Sequence, residues 1–125
     1  MIIAIDFDGT MVKHKYPEVG EELPNAVDTM LELQKLGHKI ILYTMRSGTT
    51  LIDAVEWCKS KGIELYGVNE NPTQASWTAS RKVYAELYID DAALGCPLKW
   101  TYERPEVHWM DVRRRLVERG ILERI

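Results

Sequence analysis

Two stretches of this 125-residue chain end an apolar run in acids. Ile2-Ile3-Ala4-Ile5 runs into Asp6-Phe7-Asp8-Gly9-Thr10, and Leu87-Tyr88-Ile89 runs into Asp90-Asp91. Two like charges ~4 Å apart repel by about 4 kcal/mol at an effective dielectric of about 20, so carboxylates brought together there either take up protons or hold a cation. Hard oxygen ligands at that density suit Mg²⁺, which keeps several waters and readily accepts a phosphate oxygen. Asp6, Asp8, Asp90 and Asp91 are therefore the candidate metal ligands, and phosphoryl chemistry is the natural inference. In such chemistry positioning and charge neutralisation supply most of the catalysis. Asp6 can attack phosphorus, Asp8 can pass a proton to the leaving oxygen and later take one from water, and Thr44 and Lys82 can hold nonbridging oxygens. Gly9, Thr10 and Arg46 are candidate substrate contacts. Lys13, His14 and Tyr16, on the loop expected over the acids, are as consistent with a solvated surface.

Those residues need elements that deliver them to one place. Apolar runs of strand length at Ile2–Ile5, Lys39–Thr44, Ile63–Val68 and Ala85–Ile89 read as buried strands. Helical patterns separate them. One begins at Pro24, carries Leu23, Val27, Met30 and Leu31 on a stripe and stops at Gly37; another runs from about Thr50 to Lys61 with Leu51, Val55 and Cys58 inward. Met11 to Glu22, with Pro17 and Gly20, reads as a flap, and Asn71 to Ser80 as a loop leading to a helix near Thr78. A short edge strand is expected near Trp100 to Tyr102, and a closing helix from about Val107 to Arg119 that buries Trp109, Val112 and Leu116. The four tryptophans read as core or edge packing. Strands alternating with helices give an α/β domain over residues 1–125 with a mainly parallel sheet. In such sheets ligands bind beyond the carboxyl ends of the strands, where all of these polar groups fall.

The residues resemble the haloacid dehalogenase-like hydrolases, mostly Mg²⁺-dependent phosphatases and phosphotransferases. Asp6-Phe7-Asp8-Gly9-Thr10 is similar to the DxDGT motif, which implies Asp6 as nucleophile and Asp8 as acid/base with its backbone carbonyl on the metal. The hydroxyl, basic and acidic motifs fall on Thr44, Lys82 and Asp90-Asp91, with Arg81 competing for the basic role. The resemblance implies a Rossmann-like three-layer sandwich. That family usually inserts a cap domain; Met11 to Glu22 and Asn71 to Ser80 leave room only for a flap and a loop, so the chain looks like a capless member with an open site. The resemblance implies that such members often act on phosphorylated macromolecules or else close the site by oligomerising, so the expected partners are a phosphorylated small molecule or a phosphorylated macromolecular end, or a second copy of the chain in a homo-oligomer. A receiver-like signalling module also has a parallel α/β layout, an acidic cluster, a Thr and a Lys, but the phosphorylated Asp of receivers follows the third strand, where this chain has Asn69. A noncatalytic phosphate-binding protein on the same fold is a third reading.

Composition limits the alternatives. Hydrophobic residues make up 46% and charged residues 28%, and a net charge of −3 makes no electrostatic case for nucleic acid. The basic run Arg113-Arg114-Arg115 reads as the wet face of a helix. Cys58 and Cys96 are isolated and lack metal-ligand spacing. No apolar run approaches the ~18 residues of a membrane helix, which sets the expectation of a cytoplasmic protein without a membrane partner.

Overall fold

The computed structural model describes residues 1–100 and 104–124. Four strands form a sheet: β1 (Ile2–Ile5), β2 (Lys39–Leu42), β3 (Leu65–Val68) and β4 (Leu87–Ile89), in the order β3-β2-β1-β4 with every pairing parallel. The helices are α1 (Ala26–Lys35), α2 (Gly48–Ser60) and α3 (Trp109–Glu118). Between β4 and α3 lies an antiparallel pair, β5 (Leu98–Trp100) with β6 (Pro105–Val107). The chain is thus α/β, with its most apolar strand at the centre of the parallel sheet, compatible with a Rossmann-like fold. Among the described residues no helix is long and apolar enough to cross a membrane.

Alternation along the strands divides the core in two. Ile3, Ile5, Ile40, Leu42 and Ile89 share one cluster with the buried faces of all three helices: Val27, Met30 and Leu33 of α1, Ala54 and Cys58 of α2, and Trp109, Val112 and Leu116 of α3. Burial pushes the Cys58 thiol up to about 12, which suits an inert packing residue. The opposite face, Ala4 and Ile41, packs against Val83 and Ala85 with Tyr43, Tyr66 and Tyr88 around them. This second face corrects the three-layer expectation. No helix begins near Thr78; a single 3-10 turn, Gln74–Ser76, is followed by irregular backbone. Two buried amides do there what helical hydrogen bonds would have done: Gln74 Nε2 donates to the carbonyls of Ser80 (3.0 Å) and Lys82 (2.8 Å), Gln74 Oε1 accepts from the Tyr84 N–H (2.8 Å), and Asn71 Nδ2 donates to the Tyr84 carbonyl (3.0 Å).

Other boundaries shift for local reasons. The closing helix starts at Trp109, because His108 is its cap, accepting the Asp111 N–H on Nδ1, and Val107 ends a strand. The edge strand ends at Trp100, and its expected continuation to Tyr102 lies outside the described residues. Trp109 is buried and Trp57 packs edge-on against Phe7, whereas Trp77 and Trp100 are 62% and 75% exposed, so those two are not core. The 11–22 segment is tied down: Met11 and Val12 are fully buried, Lys13 N–H donates to the Glu21 carbonyl, and Leu23 N–H to that of Met11.

Candidate functional site

Because β1 and β4 pair in register, Ile5 opposite Ile89, the chain leaves both strands at one level and Asp6 faces Asp90. The Asp6 N–H extends the ladder by one bond, to the Ile89 carbonyl at 3.0 Å. Asp6, Asp90 and Asp91 each offer a carboxylate oxygen within 4.8 Å of the others. Thr10, fully buried, links them: its hydroxyl lies 3.1 Å from Asp6 Oδ2 and 3.3 Å from Asp91 Oδ1, and accepts the Asp91 N–H at 3.2 Å. Trp109 anchors this residue in turn, donating its indole N–H to the Thr10 carbonyl at 2.6 Å. Burial, the hydrogen bond with Asp91 and the charge of Asp90 push Asp6 up to about 8 from an ordinary 3.8. A carboxyl that holds its proton so tightly is one that a divalent cation would ionise.

Asp8 lies outside that carboxylate group. Both of its oxygens accept from Arg46, at 2.8 Å from Nε and 2.8 Å from Nη2. Arg46 is itself only 3% exposed, and its remaining N–H groups go to the carbonyls of Pro17, Thr50 and Glu18. Phe7 and Tyr16 cover the guanidinium, their ring centroids 5.0 and 5.2 Å away. All five donors are spent on the protein in this arrangement, and Arg46 clamps Asp8 to the carbonyls of Pro17, Glu18 and Thr50.

The backbone donors of Gly9 and Thr10 are likewise spent within the chain. The Gly9 N–H donates to the Val12 carbonyl (2.7 Å) and the Thr10 N–H to that of Phe7 (3.1 Å). Gly9 is needed for its shape. Its φ is +80°, and a Cβ there would stand 2.2 Å from His14 Nε2 and 2.7 Å from Asp91 Oδ2. Gly9→Ala is accordingly expected to destabilise the fold by at least about 2 kcal/mol, combining a left-handed alanine with displacement of His14. Urea unfolding checks this, and an unshifted midpoint would show that His14 can leave at no cost.

An open cleft of about 740 Å³ lies over these groups, lined by Asp6, Asp8, Asp90, Asp91, Thr44 and His14 among others. Thr44 is thus delivered as expected: its hydroxyl accepts the Arg46 N–H at 3.2 Å and its N–H donates to Asn69 Oδ1 at 2.7 Å. Lys82 is not brought to the cleft. Without a helix to carry it, its ammonium rests 5.8 Å over the Tyr88 ring, and Arg81 borders a different hollow near Asn69. The cations that line the cleft are Arg46, Lys15 and Arg104. On the outer rim stand Tyr16 and Met45, 64% and 97% exposed. The sequence gives no sign of Arg104's place at the cleft, just before β6.

The donor set fits a hard divalent cation: Asp6, Asp90 and Asp91 supply oxygens at coordination spacing, with solvent access for the waters that Mg²⁺ retains. Asp8, expected as a fourth ligand, contributes no side-chain oxygen while Arg46 holds both.

No family model and no curated protein matches the chain. Among solved structures, a conserved protein from Bacteroides thetaiotaomicron superposes with a TM-score of 0.80 at 39% identity, over 95% of this chain and 91% of that one. Identity at that level over nearly the whole of both chains means that this chain belongs to the same family as the Bacteroides protein.

Proposed function

We propose that the chain is a divalent-metal-dependent phosphomonoester hydrolase of the haloacid dehalogenase-like type, working through an aspartyl phosphate on Asp6. The observation that carries this reading is the meeting of Asp6, Asp90 and Asp91 within 4.8 Å beyond the ends of two adjacent parallel strands, in an open cleft. A bound Mg²⁺ would neutralise these carboxylates and the developing charge on the phosphoryl group. An Asp6 oxygen attacks phosphorus as the ester oxygen leaves with a proton, giving an acyl phosphate; water then attacks phosphorus, inorganic phosphate departs and the carboxylate is restored. Thr44, whose hydroxyl oxygen already accepts from Arg46, is left with its O–H to donate to a nonbridging oxygen. Lys15 and Arg104 take the basic role expected of Lys82. For Asp8 to exchange the proton, at least one of its oxygens must leave Arg46, so opening of that pair belongs to the proposed cycle.

The open cleft supports a phosphate on a small molecule or on a macromolecular end. The test is phosphate release from a panel of aryl, sugar, nucleotide and oligonucleotide-end phosphates, with rapid quenching to trap phosphoenzyme. Turnover that stops in EDTA and returns with Mg²⁺, with a hydroxylamine-labile phosphoryl group on Asp6, is the expected outcome. A phosphoryl group retained for minutes without turnover would replace this reading with the receiver, and binding of phosphate esters without either would replace it with a noncatalytic binding protein.

A further inference from the structure

We infer that the outer edge of β4, with the 93–97 turn and one wall of α3, is a docking groove for an extended acidic segment of a partner protein, which adds to the sheet as a further strand. The inference does not rest on the phosphatase reading, since the groove and the acidic cleft share no lining residue.

β4 is the last strand of the parallel sheet and pairs with β1; among the described residues its other edge has no partner strand. A strand edge left open offers a row of backbone donors and acceptors that another chain can complete. That edge borders a hollow of about 380 Å³, lined by all three residues of β4, Leu87, Tyr88 and Ile89. Leu87, Ile89, Cys96, Val112 and Leu116 give the hollow an apolar floor continuous with the core. The facing lip is built. Ala93 N–H donates to the Asp90 carbonyl (3.0 Å), Cys96 N–H to that of Ala93 (3.2 Å), and Arg115 Nη1 reaches from α3 to the Gly95 carbonyl (2.9 Å). Leu94, on that lip, is fully exposed, and a docked strand would cover it.

Charge selects the occupant. The charged side chains that line the groove are Arg115 and Arg119, four residues apart at the end of α3, and no acid lines it, in a chain whose net charge is −3. Arg115 stands 4.0 Å from Asp111, whereas the Arg119 side chain has no ion pair or hydrogen bond among the described residues. A second copy of this chain suits the edge poorly. Two β4 strands fully overlapped and antiparallel, Tyr88 on Tyr88, set Glu86 of each against Asp90 of the other, and like charges directly opposite destabilise a strand pair. A foreign segment has no such conflict: alternate side chains of an added strand lie over the apolar floor, its backbone completes the ladder, and carboxylates flanking them meet the guanidinium groups.

Fluorescence anisotropy of a fluorescein-labelled octapeptide of sequence EDVTVTDE, titrated with the full chain, tests this. Saturable binding is expected, weaker at high salt and weaker by at least ~10-fold in Arg119→Glu, a change at an exposed side chain. The same peptide N-methylated at its four central residues keeps its charge, loses its ladder donors and should not bind. Amide shifts in the wild-type chain should fall on Leu87 to Ile89 and on the 93–97 turn. Absence of saturable binding by the unmethylated peptide, which needs no variant to fold, overturns the inference, as does equal binding of the basic counterpart KKVTVTKK. Binding that survives N-methylation would make the groove a side-chain pocket, and shifts at the same amides that grow with the concentration of the chain alone would give the edge to a second copy; either result also overturns it.

Discussion

Asp6→Asn is expected to lower phosphoester turnover by at least about 10³-fold and, in the same molecule, to stabilise the metal-free fold. The first effect follows, under the proposed chemistry, from removing the oxygen that would attack phosphorus. The second follows from where Asp6 sits. In the unfolded chain its carboxyl ionises near 3.8, whereas beside Asp91 and Asp90, and shielded from water, it holds its proton to about 8. Between those values the folded state binds one more proton than the unfolded state, so its stability falls as pH rises, by up to about 1.4 kcal/mol per pH unit, and levels off once Asp6 is ionised in both. Asparagine cannot ionise and removes that loss. In EDTA the variant's advantage in unfolding midpoint should therefore be absent near pH 3.8, grow toward pH 8 and then stay constant. With a divalent cation bound, the wild-type carboxylate gains a partner and the difference should shrink or reverse. A variant that loses activity while its stability tracks the wild type at every pH would mean that Asp6 is not the crowded carboxyl of this cluster.

The two acid-terminated strands were legible because a buried parallel strand is an apolar run and an acid at its end breaks the pattern. Asp6, Thr44 and Asp90-Asp91 could be placed from that alone, since parallel neighbours end together. Lys82 could not. Its placement depended on a helix near Thr78, and the polar side chains of Asn71 and Gln74 instead satisfy the backbone of the 71–84 segment in irregular form, turning Lys82 onto Tyr88. His14 was hidden for a different reason. A histidine between lysines in a polar stretch reads as solvated, and its burial arises only when Met11 and Val12 sink into the core and the chain doubles back over Gly9. Trp109's grip on the Thr10 carbonyl joins residues 99 apart, and no local pattern announces it.

Arg46 shows the same limit at its largest energetic scale, since a lone arginine after a strand looks like a ligand contact and proves to be a buried hub. Arg46→Met is expected to destabilise the protein by about 3–5 kcal/mol. Methionine keeps much of the stem's packing against Phe7 but leaves Asp8 with two oxygens unpaired and the carbonyls of Pro17, Glu18 and Thr50 without their donors. Arg46→Lys should recover little, because one ammonium cannot span Asp8 and three carbonyls on different segments. The cycle with Asp8→Asn separates the causes. Where the loss comes from a stranded carboxylate, the double variant Asp8→Asn/Arg46→Met should be more stable than the sum of the single changes by about 1–3 kcal/mol; where it comes from the three carbonyls, the effects should add. Limited proteolysis gives an independent reading, since the clamp is what ties the exposed Lys15–Glu18 turn to α2 through Thr50, and cleavage there should accelerate in Arg46→Met well before global unfolding. Unchanged stability, additive effects and unaltered cleavage together would return Arg46 to the role of a ligand-binding side chain.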